Sequence, residues 1–410
     1  MTEEKRMDEN ESRNPAVIYF VGVGNAGNNA VNRMLKKDGG TEGISKVFKI
    51  DTDKQRVNGF GLKENEKPIS AELMSKVERI VLGPGIGAGG KSEVGRKLAE
   101  EKEDDMRNAF KDADIIFVGT GAGGGTSTGS TPVVIQATKP KKEEKLKEND
   151  NSKSAPKSPL TVIFVEKPFS FEGKTKLATA EAGIKALEDL EETDTVIVVS
   201  NDKLLEIADD DTTMTQAFAM ADDFLQHCVS TISKIFQLEG IINLDASDIR
   251  TIMERLANTS VMGVLGVGEA EVVKENGGAK SNYILEAAEA AATSLYLEAP
   301  IDGAKRVLIC VIGREENIIL HDVEEAADQI GGMVDPNAII KFGAIGDETL
   351  GDKVEVIIVA TGIGNSAAAV NETQKISAAG AETSLHPSEK VVRLFPRVPE
   401  VPALPQRRQR

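Results

Sequence analysis

The sequence has few of the residues that form disulfides and metal centres. Its 410 residues include two cysteines and three histidines. Two cysteines are too few for a disulfide framework, and no Cys/His pair has the spacing of structural zinc ligands. We therefore expect neither a disulfide-stabilised scaffold nor a metal site built from protein side chains.

Long apolar segments and excess positive charge are also missing. No run approaches the ~18 apolar residues of a membrane-spanning helix, and residues 1–14 lack the apolar region of a secretory signal. Lys and Arg number 49 against 66 Asp and Glu, which gives a net charge of −17, whereas nucleic acids are bound through dense positive charge. The sequence therefore predicts a cytoplasmic protein without a membrane span and without general affinity for nucleic acid.

Short apolar runs alternate with helical patterns in the first half of the chain. The strand-like runs lie at residues 17–21, 47–50, 115–118, 162–165 and 196–199, and the helical patterns include 92–111 and 175–191. Such alternation is typical of βαβ units in a mostly parallel sheet. The sequence therefore predicts an α/β fold.

A long helical pattern at residues 214–237 separates this half from a second one. Later strand-like runs at 306–312, 338–344 and 354–360 flank one helical stretch near 323–330, which predicts an α+β domain. At roughly 150 residues per domain, the length agrees with two or three domains. The predicted parts are a disordered segment at 1–14, a first domain at 15–213, a central helix at 214–240, a second domain at 241–363 and a flexible tail at 364–410.

Residues 139–159 interrupt the first domain. They contain seven Lys, four acids and three Pro, with almost no apolar residue. Because such a segment buries too little apolar surface to fold alone, we interpret it as a solvated insertion between a helix and a strand.

Three glycine clusters precede helical patterns. GVGNAG at residues 22–27 fits the G-x-G-x-x-G phosphate loop, and it also fits a dinucleotide site or a tight turn without a ligand. GIGAGGKS at 85–92 fits the P-loop pattern and also a flexible connection. GTGAGGGTSTG at 119–129 interleaves glycines with hydroxyls, which is typical of a nest of backbone amides that binds phosphate.

Several motifs in a fixed order resemble the tubulin/FtsZ family of GTPases. GVGNAGNNAVNRM at 22–34 resembles the first nucleotide loop of FtsZ, GGGTSTG at 123–129 resembles the tubulin signature, and GAGG at 87–90 resembles the loop that senses the γ-phosphate. KPFSFEG, NDKLL, GIINLDASD and EAPIDGA follow in FtsZ order, so that the resemblance covers about residues 16–363. It implies a Rossmann-like GTPase domain with a parallel sheet, a long central helix and a second α+β domain, and it explains the P-loop match as chance.

The resemblance also implies which residues hold the nucleotide. The residues implied at the phosphates are Gly24, Asn25, Ala26, Gly27, Asn28, Asn29, Gly123, Gly124, Gly125, Thr126 and Ser127. Ala88, Gly89 and Gly90 would sense the γ-phosphate, Glu172 would contact the ribose, and Lys176 stands where the family usually has an arginine. Mg²⁺ is implied as the counter-ion of the triphosphate, held mainly by phosphates and water.

Phe218, Asp223, Asn29 and Asn201 would recognise the base of GTP. Phe218 would stack on guanine, and the Asp223 carboxylate would accept hydrogen bonds from two guanine N–H groups, helped by the two asparagines. The residues alone leave other interpretations open, because Phe218 also fits a core position and Asp223 also fits a solvated acid near a helix start. The adjacent Asp222 leaves the register of the acid undecided.

The candidate catalytic residues are Asn243, Asp245 and Asp248, which follow Gly240 at a predicted loop-to-helix junction. A plain interpretation is that the acids belong to a first helical turn and complement the helix dipole. The resemblance implies instead that these residues enter the nucleotide site of the next subunit and polarise the attacking water. The nucleotide loops themselves contain no obvious general base.

The function implied by the resemblance is GTP binding and hydrolysis by a protein that polymerises head to tail for cell division, in the cytoplasm at mid-cell. Residues 400–410 loosely resemble a peptide for membrane-tethering and regulatory division proteins, and they fit an ordinary disordered tail equally well. Ser127 and Ala246 depart from the family pattern and leave a GTP-binding scaffold without hydrolysis as an alternative. The loop at 22–27 leaves an NAD-dependent oxidoreductase as another.

Overall fold

A computed structural model describes most of the chain. It covers residues 16–37, 39–61, 68–141, 158–206, 208–209, 211–235, 240–242, 244–256, 259–272, 274–275, 278–279, 282–294 and 299–363. The segment at 1–14, most of the insertion at 139–159, the tail at 364–410 and the candidate catalytic residue Asn243 lie outside these residues.

Ten strands of the described chain form one sheet. In chain order they are β1 (Ile18–Val23), β2 (Lys46–Asp51), β3 (Val77–Val81), β4 (Ile115–Gly121), β5 (Leu160–Lys167), β6 (Thr195–Ser200), β7 (Met262–Glu271), β10 (Arg306–Gly313), β11 (Ile339–Gly346) and β12 (Lys353–Thr361). Their order across the sheet is β11-β10-β12-β7-β6-β5-β4-β1-β2-β3, and β8 (Lys274–Glu275) pairs with β9 (Gly278–Ala279) in a separate ribbon.

Helices cover both faces of this sheet. They are α1 (Gly24–Lys36), α2 (Lys54–Asn58), α3 (Ala71–Ser75), α4 (Ser92–Glu100), α5 (Glu103–Phe110), α6 (Gly125–Thr138), α7 (Lys174–Asp189), α8 (Asn201–Leu204), α9 (Met214–Ile235), α10 (Ala246–Met253), α11 (Tyr283–Ala292) and α12 (Leu320–Met333). Within the described ranges, none of them is long and apolar enough to cross a membrane.

The first six strands are parallel, as the alternating sequence pattern predicts. Both of their faces are apolar because helices cover each side. Residues of α1 and α9 pack on one face, and residues of α5, α6 and α7 pack on the other. The α/β fold with a parallel sheet and a long central helix is therefore confirmed, with α9 as that helix.

The C-terminal strands extend the same sheet. β12 pairs antiparallel with both β7 and β10, while β10 pairs parallel with β11. β6 and β7 join the two halves through only two residue pairs, Val196 with Met262 and Ile197 with Gly263. The α+β unit is thus a continuation of the first sheet across a narrow junction.

Two elements differ from their sequence prediction. The single helical stretch predicted at 92–111 is wrong, because the chain forms α4 and α5 with a break at Lys102, whose backbone is not helical. Glu103, Asp104 and Asp105 occupy the first turn of α5, where acids stabilise a new helix N-terminus. The alanine-rich α11 was missed because its sequence has little polar contrast to reveal a helical period.

Candidate functional site

The three glycine clusters meet at one edge of the sheet. The loop at 22–27 follows β1, the loop at 85–92 follows β3, and the loop at 119–129 follows β4. All three strands point the same way, so their carboxyl ends lie on the same side. In open α/β sheets, this edge is where ligands bind.

Two of these loops open directly into long helices. Gly24 begins α1 with a φ of +73°, a left-handed conformation that favours glycine, and Gly124 precedes α6. Neither helix has a side-chain cap on its N-terminus. The first-turn N–H groups have no partner within their helix, and such groups bind phosphate well.

The loops approach each other too closely for side chains. A β-carbon on Gly24 would lie 2.8 Å from the Cβ of Ser127, and one on Gly125 would lie 2.6 Å from the carbonyl carbon of Gly90. A β-carbon on Gly129 would lie 2.0 Å from the carbonyl oxygen of Ser92. The glycines therefore bring the N-termini of α1, α4 and α6 together.

Ser127 is the buried side chain between these loops. A glycine lies close to it on each side. A β-carbon on Gly124 would lie 2.8 Å from the Ser127 hydroxyl, and one on Gly24 would lie 2.8 Å from the Ser127 Cβ. Nearby, the hydroxyl oxygens of Thr52 and Thr126 are 2.6 Å apart, and the Thr128 hydroxyl accepts a 2.9 Å hydrogen bond from Gly123 N–H. Hydroxyls thus rigidify the loop at 119–129.

The predicted phosphate residues on α1 do not all face the same way. Asn25 is exposed, and Ala26 and Asn29 are half-buried. Asn28 is buried, and its amide donates to the carbonyl oxygens of Gly24 at 2.7 Å and Ile50 at 3.0 Å. Asn28 therefore holds the loop in place through its side chain.

Aromatic residues border the site at a second position. Phe218, near the start of α9, is 38% exposed and packs edge-on against Phe169, with ring centroids 5.3 Å apart. Phe169 is buried and stacks on Phe171 at 4.9 Å. Phe169 thus packs against one side of Phe218, while part of the Phe218 side chain is exposed to solvent. This exposure disfavours the interpretation of Phe218 as a core residue.

Glu172 and Lys176 form an ion pair beside these rings. Glu172 also accepts a 3.0 Å hydrogen bond from Phe169 N–H, which fixes the turn before α7. Lys176 contacts the other loop region as well, since a β-carbon on Gly123 would lie 2.8 Å from its side chain. The pair therefore links the aromatic cluster to the glycine loop at 119–129.

Asp222 and Asp223 occupy different environments on α9. The Asp222 side chain is 11% exposed and lies 3.4 Å from Arg33 Nε, whereas that of Asp223 is 43% exposed and accepts from Arg33 Nη1 at 2.8 Å. Burial raises the pKa of Asp222 to about 7, although Arg33 and a hydrogen bond from Asn29 lower it. Asp222 is therefore the buried acid of the pair, on the side of Asn29, and the predicted Asp223 is the exposed one.

Among the buried oxygens that have no partner in the described part of the chain, two are of particular interest for this site. They are Oδ1 of Asn201, at the start of α8, and Oε1 of Glu166, near the end of β5. Burial and the neighbouring Asp222 raise the pKa of Glu166 well above its usual range. Sequence reasoning missed Glu166 and Arg33; the only signal for Glu166 was an acid in an otherwise apolar strand.

The candidate catalytic acids form the N-terminus of α10. The Asp245 carboxylate accepts hydrogen bonds from Ser247 N–H and Asp248 N–H, both at 2.8 Å, and the Asp248 carboxylate accepts from Asp245 N–H at 3.2 Å. Asp248 also pairs with Lys341 Nζ at 2.7 Å. This reciprocal arrangement is a capping box, so the plain interpretation of these acids as helix-start residues describes their contacts within one chain.

α10 lies at the opposite edge of the sheet from the glycine loops. Arg250 donates to the carbonyl oxygens of Asp114 at 3.2 Å and Ser158 at 3.1 Å, which immediately precede β4 and β5. The glycine loop at 119–129 lies at the other end of β4. A strand of that length spans roughly 20 Å at about 3.3 Å per residue, so the acids do not reach the loops of their own chain.

Comparisons with known proteins agree with this architecture. Residues 17–209 match the family model described as Tubulin/FtsZ family, GTPase domain, and residues 262–364 match the FtsZ family, C-terminal domain. The structure is similar to an FtsZ dimer from M. jannaschii, with 31% identity, coverage of 86% of this chain and 90% of that chain, and a TM-score of 0.67. It shares its fold with CetZ2 from Haloferax volcanii, solved as a GTPγS-bound protofilament, at 17% identity, coverage of 88% and 98%, and a TM-score of 0.64.

Proposed function

The chain belongs to the tubulin/FtsZ family of GTP-binding, polymerising proteins, and from this premise we propose that it binds and hydrolyses GTP, assembles head to tail into filaments and acts in cell division. The observation that carries the proposal is that the candidate site residues are divided between two opposite edges of the sheet. Phosphate-binding loops lie at one edge of the sheet, and the candidate catalytic acids lie at the other. The match of residues 262–364 to the FtsZ C-terminal domain supports the cell-division role.

The phosphates of GTP would rest on the N-termini of α1 and α6. The backbone amides of the first helical turns, at residues 24–27 and 124–127, supply donors there, and Ala88, Gly89 and Gly90 close the third side at the γ-phosphate. A β-carbon on Gly89 or Gly90 would meet nothing within 4 Å, which leaves space beside that loop. This open γ-phosphate side is where a second subunit would dock.

The base of GTP would lie against Phe218, with Asp222 as the reading carboxylate. Arg33 and Asn29 lower the pKa of Asp222 against the effect of burial, and its ionised form would accept from the two N–H groups of guanine. Adenine presents an unprotonated ring nitrogen there and would be disfavoured. Asn201 supports the same pocket with its unpartnered Oδ1, while Glu172 and Lys176 fit the ribose side.

Mg²⁺ fits the site as an ion carried by the substrate. No cluster of three or more metal-ligating side chains occurs in the part of the chain that the structure describes. The ion would be held mainly by phosphate oxygens and water, and it would neutralise charge on the triphosphate. The protein side chains would then serve to orient the nucleotide.

Hydrolysis would use Asp245 and Asp248 of the next subunit. In one chain the capping box fixes both carboxylates at the start of α10, so they are oriented before assembly. Inserted beside the γ-phosphate of a neighbour, they would orient the attacking water and accept its proton. Asn243 would stand beside them in the same loop. A head-to-tail contact of this kind propagates into a filament.

A GTP-binding scaffold without hydrolysis is the second candidate. Ser127 places a side chain between the two phosphate loops, and Lys341 neutralises Asp248. Both features oppose fast hydrolysis without preventing nucleotide binding or polymerisation. Phosphate release by purified filaments distinguishes the two candidates.

The decisive experiment mixes two inactive variants. Asp245→Asn removes the charge but keeps a good helix N-cap, so it binds GTP and does not hydrolyse the GTP of its neighbour. Gly125→Val forces a side chain against Gly90 and loses the nucleotide, while its acids remain. We expect each variant alone to lose on the order of 10²–10⁴-fold in phosphate release, and the mixture to regain activity.

The control for this experiment is Asp328→Ala, which removes an exposed acid on α12. It should hydrolyse GTP at the wild-type rate. Full activity of Asp245→Asn alone, or a mixture no more active than its parts while Gly125→Val still copolymerises, would contradict the shared site.

A further inference from the structure

Glu166 is a buried acid that the proposed function leaves unused. It lies on β5 two residues after Phe164, so both side chains point to the same face of the sheet. Phe164 belongs to the core cluster formed with α1 and α9. Glu166 therefore faces the helices that carry Arg33 and Asp222.

The charged neighbours of Glu166 belong to both the base side and the ribose side of the proposed nucleoside pocket. Its carboxyl interacts electrostatically with Asp222, Arg33 and Glu172. On the proposed function, Asp222 reads the base and Glu172 contacts the ribose. Glu166 is 6% exposed, and its Oε1 has no hydrogen-bond partner among the described residues. A buried polar atom without a partner is costly and calls for a physical explanation, which a hydrogen bond to a bound nucleoside would supply.

The protonation of Glu166 follows from its neighbours. Burial raises its pKa most, Asp222 and Glu172 raise it further, and Arg33 lowers it. Arg33 is already engaged by Asp222 and by Asp223, whose carboxylates accept from its guanidinium. Asn29 also lowers the pKa of Asp222, whereas Arg33 alone lowers that of Glu166, so the surroundings of Glu166 favour its neutral form.

We propose that Glu166 is a further nucleotide-binding residue, whose neutral carboxyl donates a hydrogen bond to an acceptor on the sugar side of guanosine. Guanine N3 is the acceptor there, next to the amino group that Asp222 takes. An ionised Glu166 would present lone pairs to N3 and would repel Asp222, whereas a ribose hydroxyl could donate to either form of Glu166 and would not require the neutral one. This inference rests on the proposed GTP site and adds a second reader to it.

GTP affinity should therefore fall both at low pH and at high pH. At low pH, protonation of Asp222 removes the base-reading carboxylate. As pH rises through the pKa of Glu166, the donor is lost and affinity falls by about tenfold, the cost of one hydrogen bond exchanged for a repulsive contact. Glu166→Gln keeps a donor at every pH. Its GTP affinity should therefore still fall at low pH but should no longer fall at high pH.

The test is calorimetric titration of the full chain with GTP between about pH 5 and pH 9. Wild type, Glu166→Gln and the matched control Glu355→Gln are compared. Glu355 is a second buried carboxyl with a raised pKa, but it lies on β12 beside His227. The control should follow the wild-type curve. Coincident curves for wild type and Glu166→Gln would overturn the inference.

Two GTP analogues test the acceptor. 3-Deaza-GTP lacks the ring nitrogen N3, and 2′-deoxy-GTP lacks only the ribose hydroxyl. 3-Deaza-GTP should bind wild type and Glu166→Ala equally, while GTP and 2′-deoxy-GTP should bind wild type about tenfold more tightly. If Glu166→Ala retains full affinity for GTP itself, Glu166 does not contact the nucleoside. Failure of the proposed function is distinguishable, because GTP would then bind none of these proteins, including wild type.

Discussion

At the scale of single residues, a shift of one position decides which acid would read the base in the proposed site. A helix turns by about 100° per residue, so neighbouring side chains cannot both face the pocket. The Asp222 side chain is buried on the side of Asn29, whereas the Asp223 side chain is exposed to solvent. Sequence pattern leaves the two equivalent because both are acids on one helix.

We therefore expect Asp222→Asn to lose guanine preference and Asp223→Asn to keep it. Each hydrogen bond to a charged acceptor contributes about 1.5–3 kcal/mol, so GTP affinity should fall at least tenfold in the first variant. The second loses only an exposed ion pair, worth about 0.2–1 kcal/mol. Titration of both variants with GTP and ATP checks this, and the reverse order of effects would place the reader at Asp223.

Glycine at position 27 is required by packing rather than by ligand binding. A β-carbon there would lie 2.1 Å from the carbonyl oxygen of Gly119 on β4. Gly27→Ala should therefore destabilise the fold by about 3 kcal/mol or more. Gly332→Ala is the matched control, since its β-carbon would meet nothing within 4 Å on α12. It should be neutral or stabilising by about 0.5–1 kcal/mol. Equal unfolding midpoints in urea would contradict this contrast.

At the scale of elements, α9 and β12 meet through buried titratable groups. His227 Nε2 on α9 lies 3.5 Å from Glu355 Oε2 on β12. Burial lowers the pKa of His227 to about 4, and burial together with Glu269 raises the pKa of Glu355 to about 7. The central helix is thus joined to the C-terminal sheet by a contact that is largely uncharged between about pH 4 and about pH 7.

Stability should fall with rising pH because of Glu355. Its pKa is near 4.5 when unfolded and about 7 when folded, so its contribution is complete below about pH 4.5 and is lost as pH rises to 7. The loss amounts to about 3 kcal/mol. His227 acts in the opposite direction, gaining stability as pH rises from about 4 to 6.5.

Urea unfolding at about pH 5 and about pH 8 tests this prediction. Glu355→Gln should remove the part of the pH-dependent change in stability that Glu355 contributes, while the opposing gain from His227 remains. Glu324→Gln, which changes an exposed acid on α12, should leave the pH-dependent change as it is in wild type. An identical loss in wild type and Glu355→Gln would show that Glu355 does not titrate in this range.

At the scale of the whole molecule, the sheet separates the two halves of the proposed active site. The glycine loops follow the carboxyl ends of β1, β3 and β4, and α10 contacts the backbone before β4 and β5. A monomer therefore lacks a complete site. A second subunit stacked on the first would bring its own α10 to the open γ-phosphate loop.

Phosphate release per chain should consequently rise steeply with protein concentration. Below the concentration at which filaments form, it should approach zero even though GTP is bound. Filaments of Asp245→Asn should persist after wild-type filaments have disassembled, because their GTP is hardly hydrolysed. Measuring phosphate release and light scattering in one dilution series checks both points. A monomeric sample that hydrolyses GTP at the full rate per chain would refute the shared site.

The sequence alone determined the family, the parallel sheet and the glycine loops. These features are local, because glycine tolerates left-handed φ values and close approach, and buried parallel strands are continuous apolar runs. The motif order at residues 22–34, 123–129 and 240–248 therefore predicted the family and the α/β fold correctly. The proposed roles of the individual site residues go beyond what these patterns establish.

Only the tertiary structure distinguished Asp222 from Asp223, placed Glu166 among Asp222, Arg33 and Glu172, and set α10 against the far edge of the sheet. These facts depend on which side of a helix or strand meets its neighbour. Sequence spacing gives the period of that face, but the partner can lie far away along the chain, as Arg33 and Asp222 do at a separation of 189 residues. Long-range packing therefore decided what local pattern left open.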